Sequence, residues 1–399
     1  MDGLGTMEGK MLTVLTLNCW GIPWISKERH TRMESIADHI SSSSYDFVFL
    51  QEVWSKGDYQ LIASRLQLKL PFSHYFDAGV FGSGLCLFST AAITSFMFQP
   101  FSMNGYAHHV HQGDWFGGKG VGLASVVHSG VKIHLYITHL LAKYNVQQDD
   151  LLAHRLIQAT QTAHFIKFTR QGADVCILAG DLNAAPDELT YQTLVLETDL
   201  KDSFLLSGKD ELMGMTNATP NNSYTSRQQL KEFPYGQRID YVFYWAKSHL
   251  KMETVDCTNP LPRRVPGHQF SYSDHEAVCC RLKISNSSSV SEETLDQSRL
   301  NRHRMKLLDV LRNALVDLQE DRRLYWAGFT AASLLLVFSL VTHFHYLQWA
   351  FGGHLWLWNC FWFVLVFFLT VTSLFCIAMA VVWNRTERES LLSWALSIS

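Results

Sequence analysis

A layered α/β sandwich followed by a membrane hairpin is the fold class the sequence predicts, on three observations. Short β-patterned runs recur through the first 284 residues, with helical periodicity between some of them. Several of those runs are apolar throughout, as strands covered on both faces are. Residues 324–384 contain no Lys, Arg, Asp or Glu.

The strand-like runs are residues 11–17, 47–50, 85–89, 121–127, 132–138, 174–178, 239–244 and 277–282, and residues 147–168 are helical in pattern. Two packed sheets with helices outside accommodate that order. A β-rich stretch of this size sustains one core, so residues 11–284 read as one domain. Residues 285–294, rich in Ser, are too polar to bury and read as a linker. Residues 295–323 space Leu300, Leu307, Leu311, Leu315 and Leu318 along one face among many charges, the pattern of an amphipathic juxtamembrane helix.

The charge-free stretch is long enough for two helices of about 20 residues each. They are expected within residues 324–383, at about 324–343 and 355–383, with a break between His343 and Gly353 and a tail of residues 384–399. Arg322, Arg323, Arg385 and Arg388 flank the hairpin, whereas its loop has no Lys or Arg. The positive-inside rule then places the first domain and the C-terminus in the cytosol. The endoplasmic reticulum is the expected membrane, with the plasma membrane as alternative.

Residues 1–283 carry 24 Lys and Arg against 27 Asp and Glu, which argues against a nucleic-acid partner. Eight cysteines without paired spacing indicate a reducing compartment. Residues 1–10 lack the basic-then-apolar order of a secretory signal.

Polar residues of one chemical kind gather at predicted strand ends. Asn18 closes the first run and Glu52 follows the second; hard oxygen donors there suit Mg²⁺. His139 closes the run 132–138, and Asp181 and Asn183 lie in Ala-Gly-Asp-Leu-Asn after the run 174–178. Asp240 opens another run, and Ser273-Asp274-His275 precedes the last. Taken singly each is ambiguous, since strand-end carboxylates also cap helices and the chain has 18 histidines. Together they form a base with its orienting carboxylate, His275 with Asp240, beside oxygen ligands for a cation.

The order Asn, Glu, His, Gly-Asp-x-Asn, Asp, Ser-Asp-His resembles the superfamily of deoxyribonuclease I, abasic-site endonucleases, inositol-polyphosphate phosphatases and neutral sphingomyelinases. The resemblance covers residues 11–284 and implies a four-layer α/β sandwich and Mg²⁺-dependent phosphodiester cleavage. By the same resemblance Glu52 is the metal ligand, Asn18 a ligand or a phosphate contact, and Asp274 a further ligand. Asp181 orients the attacking water or touches the metal, Asn183 binds a phosphate oxygen, His275 is the base with Asp240 behind it, and His139 is a second histidine.

Asn18-Cys19-Trp20-Gly21-Ile22-Pro23, Gln51-Glu52-Val53-Trp54 and the segment from His111 to Gly120 resemble neutral sphingomyelinases in particular. In that last segment Asp114 and Lys119 frame a Gly-rich turn able to approach a phosphate. No Ser or Thr follows the lysine, so it is not a nucleotide-binding loop. The resemblance implies membrane sphingomyelin and related choline lipids as substrates, with ceramide and phosphocholine as products. A quaternary ammonium is best held on aromatic faces, and Trp20, Trp24, Trp54, Tyr106, Trp115 and Phe116 lie near the motifs, Trp20 and Trp115 foremost. The alternatives are an inositol-polyphosphate phosphatase, a nuclease, or a non-catalytic membrane scaffold. The first would carry a Pro-x-Trp-x-Asp-Arg block where Arg238-Ile239-Asp240-Tyr241 stands.

With both flanks cytosolic, the acceptor patterns beginning at Asn221, Asn286 and Asn384 should carry no N-linked sugar. A glycosidase-sensitive mobility shift assigned to Asn221 or Asn286 would reverse the topology.

Overall fold

The structure is a computed structural model that describes residues 9–106, 113–145, 148–287, 297–349 and 355–398. His111 and Gln112, most of the Ser-rich linker and the hairpin turn lie outside the described residues.

Among the described residues the strands are β1 (Lys10–Asn18), β2 (Phe47–Gln51), β3 (Phe72–Phe76), β4 (Leu85–Ser89), β5 (Ile93–Pro100), β6 (Gly120–His128), β7 (Val131–His139), β8 (Val175–Asp181), β9 (Lys201–Asp202), β10 (Asp240–Ala246), β11 (Leu250–Thr258) and β12 (Val278–Asn286). They form two six-stranded sheets, in the orders β11-β12-β1-β2-β4-β3 and β5-β6-β7-β8-β10-β9. Helices α1 (Arg29–Ser42) and α2 (Lys56–Leu66) follow β1 and β2; α3 (Leu152–Thr169) and α4 (Leu189–Thr198) follow β7 and β8.

Because side chains alternate along a strand, each central strand feeds two cores. Leu12 and Val14 of β1, Phe47 and Phe49 of β2, Ile133 and Leu135 of β7 and Ile177 of β8 fill the space between the sheets. Leu15, Leu17, Val48 and Leu50 point outward and pack with Met33, Ile36, Ile40, Ile62 and Leu66. On the far side Tyr136, Cys176, Leu178, Tyr241 and Phe243 pack with Ala159, Ala163, Ile166 and Leu194. The result is the four-layer order helix, sheet, sheet, helix.

Each sheet contains one parallel pair, β1 with β2 and β7 with β8. A parallel pair aligns two carboxyl ends, which brings Asn18 beside Gln51 and His139 beside Asp181 in register. The antiparallel partner β10 starts where β8 ends, so Asp240 pairs with Asp181. Five strands thus deliver polar residues to one rim.

Residues 304–399 form a separate compact unit. A single helix, Gln297–Trp349, runs through both the amphipathic stretch and the first apolar span; it contains no Pro and one Gly. Leu355–Ile377 is the second apolar helix, and both are long and apolar enough to cross a membrane. A π-helical segment, Ala378–Trp383, then leads into a helix over Asn384–Ile398, so the tail is helical.

Gly180, one residue before Asp181, has φ 151°, and a Cβ there would meet the Thr138 carbonyl oxygen of β7 at 2.0 Å. Gly180→Ala should therefore cost about 3 kcal/mol, seen as a lowered denaturation midpoint; an unchanged midpoint would refute this account of the strand contact.

Candidate active site

The rim gathers the polar residues of both sheets into one buried cluster. Asn18, 1% exposed, donates from Nδ2 to Glu52 Oε1 at 2.9 Å and to Asp181 Oδ2 at 3.0 Å. Its Oδ1 accepts the Trp20 backbone N–H at 2.9 Å. Asp181 Oδ1 accepts the backbone N–H of Asn183 at 2.7 Å, while the Asn183 carboxamide donates to the Leu140 carbonyl at 3.0 Å. Ser273 Oγ donates to the Asn18 carbonyl at 2.6 Å, tying the loop before β12 to the end of β1.

His275 and Asp240 form the expected pair. Asp240 Oδ2 accepts from His275 Nδ1 at 2.8 Å, which leaves Nε2 free of that bond and 3.9 Å from Asp181 Oδ2. Burial pulls the His275 proton affinity down, but the charges of Asp240 and Asp181 overcome it and hold it well above the usual imidazole range. Asp181 is raised, first by burial and then by Asp240. His139 is pushed well below the usual range by burial, Lys119 and His275, so it is neutral. Its Nε2 lies 3.5 Å from Asp181 Oδ2 and 3.9 Å from Glu52 Oε1.

Three site residues hold left-handed backbone that bulky side chains rarely adopt: Trp20 (φ 46°), Glu52 (φ 55°) and Asn183 (φ 48°). Each costs on the order of 1–3 kcal/mol and persists because the surrounding bonds fix it. Glu52 is pinned in this way: its carbonyl accepts the Gly21 N–H at 2.9 Å.

The cluster has the donors for a cation. Asp181, Asp240 and His275 each offer one ligand atom, all within 4.8 Å of one another, a potential metal site. A second indication lies at Glu52, whose Oε2 is buried without a hydrogen-bond partner. Burial, and then the like charge of Asp274, raise the Glu52 carboxyl above its usual range. Two buried carboxylates in mutual repulsion with an unpartnered oxygen fit a hard divalent ion.

The loop residues sit differently from a freely exposed phosphate cradle. Lys119 is 3% exposed and spends its three protons on Asp114 Oδ1 (3.1 Å), the Leu140 carbonyl (3.0 Å) and His139 Nε2 (3.3 Å). Asp114 also accepts from the Tyr144 hydroxyl. Trp20 already holds a cation of its own, the Arg32 guanidinium 4.9 Å from its ring, and meets Tyr224 edge-on at 4.8 Å. Trp54 packs against Gly84 and Gly117, and Tyr106 against His154. Trp115, in T-shaped contact with Phe116, and Trp24 are exposed.

Arg32 was not legible in the sequence as a site residue. Fully buried in α1, it donates to the carbonyls of Lys27 (2.9 Å), Cys19 (2.8 Å), Trp20 (2.7 Å) and Tyr272 (3.1 Å). It thereby clamps the loop after Asn18 to the loop carrying Asp274 and His275.

Residues 15–275 match the family described as Endonuclease/Exonuclease/phosphatase. A putative neutral sphingomyelinase of Drosophila melanogaster is 42% identical over 290 residues, 73% of this chain and 64% of that protein, so the match spans just under two thirds of its length. Sphingomyelin phosphodiesterase 2 of Mus musculus is 39% identical, over 83% of this chain and 79% of its own. The crystal structure of sphingomyelinase C from Streptomyces griseocarneus shares the fold, with TM-score 0.50 at 18% identity over 68% of this chain and 99% of that one.

Replacing Arg32 by Met should leave four carbonyls without this donor, costing about 3 kcal/mol or more, and lower turnover at least about 100-fold by misplacing the loops. Wild-type rates in Arg32→Met would remove its positioning role. A second expectation concerns pH. His275 binds its proton more tightly folded than unfolded, so its contribution to stability is full below about pH 6.5 and is lost as pH rises through the folded value. In chelator, the melting temperature should fall from pH 6.5 upward, and less so in His275→Ala; identical profiles for the two proteins would contradict it.

Proposed function

We propose, for a chain that belongs to the endonuclease/exonuclease/phosphatase family within its sphingomyelin phosphodiesterase branch, that it is a neutral, Mg²⁺-dependent sphingomyelinase. It cleaves sphingomyelin to ceramide and phosphocholine and acts on related choline lipids. The observation that carries this reading is the single buried cluster joining Asn18, Glu52, Asp181, Asp240 and His275.

Glu52 would hold the ion, with Asp274 and Asn18 beside it. The unpartnered Glu52 Oε2 supports this position, which leaves His275 Nε2 for the attacking water. Bound there, Mg²⁺ would polarise a phosphate oxygen and, as a positive charge, lower the proton affinity of His275.

His275 Nε2 takes a proton from the attacking water, and Asp240 stabilises the imidazolium that results. Asp181, hydrogen-bonded to Asn18 and Asn183, orients that water. The new P–O bond forms from the water oxygen as the bond from phosphorus to the ceramide oxygen breaks, and the departing oxygen takes up a proton. Asn183 donates to a phosphate oxygen as charge develops on it, and neutral His139, whose Nε2 accepts from Lys119, stands beside Asp181 and Glu52. Lys119 acts through His139, holding it neutral and in place. Exposed Trp115 receives the choline group.

The apolar helices hold the enzyme in the bilayer that contains its substrate, with the catalytic domain and the tail in the cytosol at the endoplasmic reticulum. Tethering raises the local concentration of a lipid that never leaves that membrane.

Detergent-solubilised protein given sphingomyelin, phosphatidylcholine, a lysolipid, inositol polyphosphate and DNA, with Mg²⁺ or chelator, tests the proposal. Phosphocholine release should be greatest from sphingomyelin and vanish on chelation; equal rates on DNA would favour a nuclease. Asp240→Asn should lower the rate by roughly 10²–10⁴, and full turnover in His275→Ala would refute the assigned base.

A further inference from the structure

The carboxylate that aims His275 has little side-chain support of its own. Asp240 Oδ2 accepts from His275 Nδ1 at 2.8 Å, whereas its Oδ1 is buried without a hydrogen-bond partner. Its direction is therefore set by the backbone that carries it. At Asp240 that backbone pairs with β8 on one side only, because β9 on the other side reaches just Phe243 and Tyr244.

Thr216 takes the open side. Fully buried, it accepts on Oγ1 the backbone N–H of Ile239 at 3.1 Å and of Asp240 at 3.2 Å, using both lone pairs of the hydroxyl. Its own N–H donates to the Gln237 carbonyl at 2.7 Å, and its carbonyl accepts the N–H of Glu276, the residue after the base, at 2.6 Å. The next residue, Asn217, forms isolated bridges with both Gln237 and His275. Further along, Asn222 donates from Nδ2 to the Ser273 carbonyl at 2.9 Å and to Glu276 Oε1 at 3.1 Å, and the Thr219 hydroxyl donates to the same oxygen at 3.0 Å. One short segment thus grips the backbone on both sides of the Asp240–His275 bond.

We propose that Thr216 is a positioning residue for the reaction, its hydroxyl oxygen fixing Asp240 relative to His275. The inference rests on the assignment of His275 as base given above. Filling the space would be served as well by valine, which has the shape of threonine but no acceptor. Buried N–H groups demand an acceptor, so with valine the start of β10 must shift to find one, and Asp240 shifts with it.

The test compares Thr216→Val, Thr216→Ala and Thr216→Ser in the full chain, in detergent, with sphingomyelin and Mg²⁺. Thr216→Val should lower kcat about 10- to 100-fold and leave KM within about two-fold. Thr216→Ser keeps the acceptor and should stay within about three-fold of the wild-type rate. Because the effect passes through Asp240, adding Thr216→Val to Asp240→Asn should cost less than about three-fold more. Hydrogen–deuterium exchange of residues 237–242 should quicken in the Val and Ala variants and not in Ser. Thr216→Ala leaves room for a water to accept the two N–H groups, so it carries the comparison if the Val variant does not fold. Wild-type kcat in a folded Val or Ala variant, equal losses in Ser and Val, full additivity with Asp240→Asn, or unchanged exchange would overturn the proposal. A chain inactive on every choline lipid would dismiss the sphingomyelinase reading, while the exchange rates would still decide whether Thr216 holds Asp240.

Discussion

The hydrogen bond that the Asn18 carboxamide donates to Asp181 holds the site together, because it crosses from one sheet to the other while a second bond ties in Glu52. Asn18 and Glu52 belong to the ends of β1 and β2, whereas Asp181 ends β8 in the opposing sheet. The Asp240–His275 bond makes a second crossing, from the start of β10 to the loop before β12. An active site assembled from two sheets needs their faces to pack in one arrangement only, and the interdigitated core of Leu12, Val14, Phe47, Ile133 and Ile177 supplies it.

Charge explains much of the remaining design. Glu52, Asp181, Asp240 and Asp274 crowd into a largely buried space, where unpaired anions are costly. Part of the compensation is internal: burial raises the Asp274 carboxyl, and His275 and the Arg32 guanidinium behind the site offset part of that rise, while Lys119 stands beside His139. The raised Glu52 and Asp181 carboxyls show that this compensation is incomplete. The site is therefore built with a deficit of positive charge that a bound cation would make good. The same carboxylates keep His275 proton-hungry in spite of its burial.

The eight strands legible in the sequence are the eight interior ones, and the four that were not, β3, β5, β9 and β11, are the four sheet edges. Interior strands are covered on both faces and both sides, so their residues must be apolar. An edge strand faces water along one side, and two of the four are charged or short: Leu250–Thr258 with Lys251, Glu253 and Asp256, and the two-residue Lys201–Asp202. The helix Gln297–Trp349 was read as a stalk and a span because composition changes at Arg323, whereas a helix is interrupted by backbone chemistry and none occurs there.

By itself the sequence determined the order of the chemistry: which residues end which strands, which pattern they make, and where the membrane stretch lies. Those properties are local, since strand periodicity and strand ends are set by neighbours along the chain. Tertiary structure alone decided that Lys119 is buried behind His139, that Trp20 is already occupied by Arg32, and that Glu52 and Asn183 carry left-handed backbone. It also decided that Arg32 of α1 serves loops more than 200 residues apart. These depend on which groups meet after both sheets close, and an arginine or tryptophan carries no mark in the sequence of the carbonyls and rings it will face.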